Sequence, residues 1–232
     1  MWLLAVDTSS KDTSVALVRD GQLVVVVAPQ SGAKQHSVQL FRNIRQALAE
    51  AGLALGELDV YAAANGPGAF TALRVGLTVV KGLAEMHDKP VVAVSVLEAV
   101  AESAQADGLL VPIVDAYRGQ IFGGLYEKCD GELRRRGRER VLTLEEFLAT
   151  LAAEGIQAEE CTLAGPQIEH WTAQLGRSRF AASQRERISP VLAEAVARRA
   201  QTKFARGEIL DALRLEANYV RRSDAELLWK RK

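Results

Sequence analysis

Only two cysteines, Cys129 and Cys161, occur in 232 residues. They lie far apart and fit neither a C-x-x-C motif nor a metal-ligand spacing. No disulfide framework can support this fold, and so few thiols suit a reducing setting, so a cytoplasmic location is expected. Histidine is also scarce. His36, His87 and His170 are widely separated, no pair has ligand spacing, and each reads as a capping or core residue. Basic and acidic residues balance at 29 each, so the net charge of +0 gives no global attraction to nucleic acid or an acidic membrane. Aromatics make up 6% of the chain and do not interleave with the basic runs Arg134–Arg140 and Lys230–Lys232, which read as solvated surface. No apolar run reaches transmembrane length, and no basic n-region precedes an apolar stretch at the start, so neither a membrane span nor a signal peptide is expected. The nucleophile elbow G-x-S-x-G and the zincin motif are missing too.

What is present is apolar material, 48% of the residues, sufficient for one large domain or two small ones. The most informative stretch is NGPGAFTALRVG, Asn65–Gly76. A short apolar run, Leu58–Ala64, ends there, and a long helical pattern starts at Phe70 and runs to Met86. A strand, a stiff turn and a helix start can aim backbone N–H groups at an anion. Gly66 and Gly68 tolerate unusual backbone angles or a close neighbour, and Pro67 stiffens the turn between them. The loop is not a P-loop, since no Gly-Lys-Ser/Thr follows. It is not the dinucleotide fingerprint, since Thr71 replaces the third glycine. An ordinary strand-to-helix connection is the equally good alternative.

The chain repeats itself. LLAVDTSSKDTSVALVRDGQL starts at Leu3 and LVPIVDAYRGQIFGGLYEKCDGEL at Leu110. Each is a strand closing on an aspartate, Asp7 or Asp115, then a second strand, then an Asp-Gly hairpin turn at Asp20-Gly21 or Asp130-Gly131, then a third strand. Helical patterns follow at Gln35–Ala51 and Thr143–Glu154. Strand patterns come next, at Leu58–Ala64 and Cys161–Ala164. Each leads through a Gly-Pro step, Gly66-Pro67 or Gly165-Pro166, towards another helix. Each half therefore reads β-β-β-α-β-α, a duplicated α/β lobe, with boundaries at 1–105 and 106–232 and a last segment able to pack back on the first lobe. Asp7, Thr8, Ser9, Asn65, Gly66, Gly68 and Asp115 form the candidate anion or nucleotide loop, because ligands of α/β sheets sit at the carboxyl ends of strands. Turn capping by Asp7 and Asp115 is the alternative.

LLAVDTSS, His36-Ser37, NGPGAFTALRVG, KGLA at Lys81–Ala84, VVAVSVLEA at Val91–Ala99, VPIVDAYRG at Val111–Gly119 and YVRRSDAE at Tyr219–Glu226 together resemble the bacterial TsaB family. That family lies within the actin-like (ribonuclease H-like), hexokinase-like, Hsp70-like superfamily. The resemblance implies two actin-like lobes. It also implies a role in attaching threonylcarbamoyl to the adenosine beside the tRNA anticodon. The implied partners are a catalytic TsaD-like paralogue and a small TsaE-like ATPase, with tRNA met only through the complex. TsaD-like sequences carry H-x-x-x-H at the positions of Val96 and Val100 here, and valine ligates nothing. No metal, cofactor or complete catalytic constellation is therefore expected. Ala69 and Ala72 stand where the family usually has serine and glycine, which removes one anion or cap contact.

The helix from Phe70 to Met86 carries one apolar stripe at Phe70, Leu73, Leu77, Val80 and Ala84, and a second at Val75, Val79, Leu83 and Met86. The apolar arc of roughly 200° exceeds that of a helix with one core face. The helix near Ser37–Ala51 is also apolar on more than one side. Val38, Leu40, Phe41, Ile44, Ala72, Val75, Gly76, Val79 and Leu83 are the expected interface, in a homodimer when the chain is alone and with the TsaD-like paralogue otherwise. The resemblance extends to both uses, which would compete. Burial under the second lobe or a C-terminal segment is the alternative. A charge at Val79 or Ile44 is expected to disrupt association while leaving the fold intact. Two other functions remain: a stand-alone actin-fold enzyme, either a small-molecule kinase or a metallopeptidase, and a tRNA reader using Arg221, Arg222 and Lys230–Lys232.

Overall fold

The computed structural model describes residues 1–28 and 36–221, with no side-chain description at His36 and Ser37. Arg222 and the Lys230–Lys232 run lie outside the described residues. The chain divides into two compact units. The first holds 1–103 and 189–217, and the second holds 104–188 and continues at Asn218.

In the first unit, β1 (Trp2–Asp7), β2 (Ser14–Arg19) and β3 (Gln22–Val27) form an antiparallel meander. Asp20 and Gly21 make the hairpin turn, both with positive φ, +48° and +87°. This is the backbone that an Asp-Gly pair tolerates best. Helix α1 (His36–Ala51) leads to β4 (Val60–Ala64), α2 (Phe70–Met86), β5 (Val91–Val94) and α3 (Val96–Ser103). Strands β4 and β5 pair parallel to β1, giving the order β3-β2-β1-β4-β5. Leu4, Val6, Val15 and Leu17 alternate onto one face and meet Leu40, Ile44, Ala47, Leu77 and Val80 of α1 and α2 in one core.

The second unit runs β6 (Gly108–Asp115), β7 (Gln120–Gly123), β8 (Tyr126–Cys129), β9 (Glu132–Arg135), β10 (Arg140–Thr143), α4 (Leu144–Ala153) and β11 (Cys161–Gly165). A five-residue α5 (Thr172–Gly176) and β12 (Gln184–Arg187) complete it. Its seven strands follow the order β10-β7-β6-β11-β12, with β8 pairing both β6 and β9. The sequence suggests one long second strand after Asp115, but the chain breaks it at Gly123-Gly124. A Cβ on Gly123 would stand 2.6 Å from the Phe147 ring, so that ring packs directly on the backbone there. The capping box of α4 is complete: Thr143 Oγ1 accepts from the Glu146 N–H, and Glu146 accepts from the Thr143 N–H. After Gly165-Pro166 only a 3₁₀ turn, Ile168–Trp171, and α5 form, so the second lobe's last helix is far shorter than its counterpart α2.

Helix α6 (Ala193–Ala205) follows the second unit in sequence but packs in the first, against β1, β2, β5 and α3. The segment beyond it continues there. Ala212 and Leu215 enter the first unit's core, and Lys81 Nζ donates to the Leu213 carbonyl at 3.2 Å. The C-terminal segment thus covers one flank of α2. Among the described residues no helix is long and apolar enough to cross a membrane.

Candidate functional site

Strand β1 delivers Asp7, Thr8 and Ser9 to the loop that precedes α2, and the groups of that loop are mostly occupied. Thr8 Oγ1 donates to the Ala72 carbonyl at 2.8 Å. The Ser9 carbonyl accepts from the Ala69 N–H at 3.0 Å, and a Cβ on Gly68 would stand 2.6 Å from that same oxygen. The Gly66 carbonyl accepts from the Val96 N–H at 2.8 Å, and the Gly66-Pro67 peptide is cis. Asn65 Nδ2 donates to the Glu216 carbonyl at 3.2 Å. Ala69 is the N-cap of α2 and offers no side-chain cap, consistent with the missing hydroxyl noted in the sequence. The loop ties the ends of β1, α2 and α3 together, and Gly68 serves close packing against Ser9.

Asp7 is the exception. It is fully buried, and Oδ1 accepts from the Ser9 N–H at 2.8 Å. Oδ2 has no partner among the described residues. Burial pushes the carboxyl up to about 6, against the pull of the Ser9 hydrogen bonds, and nearby Asp12 adds a smaller upward push. Asp115 of the second unit makes the same local bond, accepting from the Tyr117 N–H at 2.8 Å. Both strand-end aspartates cap the turn that follows them.

The helical interface expected from the sequence changes in part. Leu40 and Ile44 point into the first unit's own core, and Ala72 and Gly76 are buried. A Cβ on Gly76 would collide with Thr8 Oγ1. These four residues cannot meet a partner without unpacking the unit. At helical period they fall on the sheet-facing side, a distinction that apolarity alone does not make. Val38 and Phe41 are exposed, at 62% and 54%, and Val75, Val79 and Leu83 are half-buried. Arg42 and Arg45 share the outer face of α1, and the Arg74 guanidinium lies 4.0 Å over the exposed Phe70 ring.

A buried charge cluster, missed in the sequence analysis, joins α3 and α6. Arg199, 4% exposed, donates to Glu98 Oε1 through Nε at 3.1 Å and Nη2 at 2.9 Å. Lys203 Nζ stands 3.0 Å from Glu98 Oε2 and donates to the Ala93 carbonyl at 3.1 Å. Glu98 lies between Val96 and Val100, both buried in the core. Arg199 at i and Lys203 at i+4 on one helix face were the available signal. Among the described residues no three histidine, cysteine, aspartate or glutamate side chains come together as a metal cluster would require.

Residues 25–209 match the family model described as TsaD, tRNA N6-adenosine threonylcarbamoyltransferase. The chain belongs to this family. Within it the chain is a TsaB-family protein with a mixed α/β fold of two sheets. It is 35% identical to the Bacillus subtilis tRNA threonylcarbamoyladenosine biosynthesis protein TsaB over 152 residues, 65% of this chain and 66% of that protein. It is 39% identical to a Thermus thermophilus tRNA N6-adenosine threonylcarbamoyltransferase over 155 residues, 60% of this chain and 48% of that one. The chain thus spans just under two thirds of the first relative and about half of the second. YeaZ from Pseudomonas aeruginosa superimposes with a TM-score of 0.79 at 31% identity, covering 94% of this chain and 99% of that one. A second P. aeruginosa structure, described as similar to peptidase YEAZ, reaches 0.81 at the same identity, covering 95% and 99%.

Proposed function

We propose that this TsaB-family protein is a non-catalytic adaptor in the cytoplasmic pathway that attaches threonylcarbamoyl to the adenosine beside the tRNA anticodon. It binds and supports a TsaD-like catalytic paralogue, with a TsaE-like ATPase in the same assembly, and pairs with itself when alone. The observation that carries this reading is the outer face of α1 and α2. Val38 and Phe41 are exposed there and Val75, Val79 and Leu83 only half-buried, in a family member with valine where the catalytic paralogue has its histidine pair. Apolar side chains of this size, left wholly or partly open on two neighbouring helices, fit a helical partner. The test is co-purification with a TsaD-like protein and a reconstituted modification assay. Modification should require both chains, and turnover by this chain alone would reject the adaptor role.

The stand-alone enzyme keeps one supporting observation, the unpartnered Oδ2 of buried Asp7. Calorimetry with ATP and magnesium discriminates. Heat of binding that Asp7→Asn abolishes would favour the enzyme, and its absence favours the adaptor.

A further inference from the structure

In the second unit, α4 and the stretch from Gln174 to Phe180 leave an open groove of about 930 Å³. Its floor is apolar: Leu148 and Phe180 are buried side chains, and Ala149 and Ala152 lie beside them. Its rim carries Arg177 and Arg179, both exposed, and neither forms an ion pair among the described residues. Arg134, Arg136, Arg140 and Arg187 of the same unit all have carboxylate partners. Gly119 borders the groove and ends a turn of unusual backbone. Tyr117, Arg118 and Gly119 take φ of +58°, +59° and +74° in succession. Left-handed angles at two consecutive non-glycine residues cost energy, and such strain concentrates at sites of function. The turn is held in place: Asp115 accepts from the Tyr117 N–H, and Arg221 donates to the Ala116 carbonyl and to Gln120 Oε1. It presents Tyr117 60% exposed.

We propose that this groove is a second docking surface, for a protein segment that carries an apolar ridge flanked by acidic side chains. The apolar floor takes the ridge. Arg177 and Arg179 take the carboxylates, arginine being one of the residue types that dominate interface energetics. A polyphosphate chain has no apolar ridge to lay on this floor. The surface lies on a different unit from α1 and α2.

The experiment is fluorescence anisotropy with the full-length protein and three labelled probes. These are a leucine-ridged helical peptide flanked by glutamates, the same peptide flanked by lysines, and a single-stranded oligouridine. The glutamate peptide should bind at least about tenfold more tightly than the lysine peptide, and Arg177→Glu with Arg179→Glu should invert that order. Circular dichroism checks that the variants keep their fold, and the exposed α1 variant Gln46→Ala should bind as the parent does. Equal binding of both peptides, preference for oligouridine, or no response to the arginine reversals would overturn the proposal. So would a tenfold affinity gain on truncation after Arg221, since the groove's occupant would then be the chain's own tail.

Discussion

Thr8 stands where a side chain on Gly76 would have to be, and its hydroxyl donates to the Ala72 carbonyl at 2.8 Å. The end of β1 is thereby locked against the first turns of α2. Ala72 and Gly76, four residues apart, provide the flat strip on which Thr8 lies.

Gly76→Ala should therefore destabilise the first unit, although alanine is the better helix former by about 1 kcal/mol. The new methyl group meets a buried, hydrogen-bonded side chain, and overpacking of this kind typically costs about 1–3 kcal/mol. Thr8→Ala removes both colliding atoms at the price of the hydrogen bond. The double variant should thus lose less than the two single losses added together. Urea denaturation of the four proteins measures the coupling, and additive losses would show that Thr8 and Gly76 are not in contact.

Asp7 makes stability depend on pH in a direction unusual for an aspartate. Its folded carboxyl is raised from 3.8 to about 6, chiefly by burial. The folded state binds the proton more tightly than the unfolded one, so this contribution is full below about 3.8 and is lost as pH rises through about 6. A shift of this size corresponds to about 3 kcal/mol. Asp7→Asn keeps an acceptor for the Ser9 N–H and carries no charge, so it should raise the melting temperature at pH 7.5 and have little effect at pH 4. Thermal melts of both proteins across that range test it. An equal effect at both pH values would mean that Oδ2 is neutralised by a group or ligand at pH 7.5.

Much of the first unit was legible because local rules agree there. Asp20-Gly21 announces the hairpin, and the unbroken apolar runs Leu3–Val6 and Val15–Val18 announce a sheet covered on both faces. The three-four spacing of Leu73, Leu77, Val80 and Ala84 marks the buried side of α2. Which of two apolar stripes faces the sheet was not legible. That depends on how the helix is rotated by tertiary contacts such as Thr8 on Gly76. The sequence allows a last segment to pack back on the first lobe but does not show where it starts, and the place of α6 was hidden for a similar reason. Its signal is a long-range pairing of Arg199 with Glu98, separated by 101 residues, and sequence period reports only local neighbours. The break at Gly123-Gly124 was readable only in retrospect, since it answers to Phe147 on another element.

The α3–α6 cluster predicts unequal costs for two cations that share one carboxylate. Arg199 is almost wholly buried and makes two hydrogen bonds to Glu98, while Lys203 keeps a fifth of its side chain in solvent. Arg199→Met leaves Glu98 buried with one partner fewer, a change worth about 3 kcal/mol. Lys203→Met should cost less, about 1 kcal/mol, because a lysine that keeps part of its side chain in water gains less from its ion pair. Urea denaturation midpoints rank the two. Equal losses would mean that burial of the guanidinium does not set the energetics.

Burial on α1 separates two substitutions that sequence periodicity treats alike. Phe41 is exposed and Ile44, three residues on, is 4% exposed in the core with Leu40 and Leu48. A glutamate at position 44 must place a charge among aliphatic side chains with no partner, so Ile44→Glu should unfold the first unit and abolish association only as a consequence. Phe41→Glu leaves its carboxylate in water, so the melting temperature should stay within a few degrees of the parent's. If the outer face of α1 and α2 is the interface, Phe41→Glu should still break it, since the charge is desolvated only when a partner arrives. Val79→Glu, half-buried, should weaken association with a modest loss of stability. Light scattering for self-association, pull-down with a TsaD-like protein and thermal melts of the same samples distinguish these outcomes. A folded Phe41→Glu variant that associates as the parent does would remove α1 from the interface.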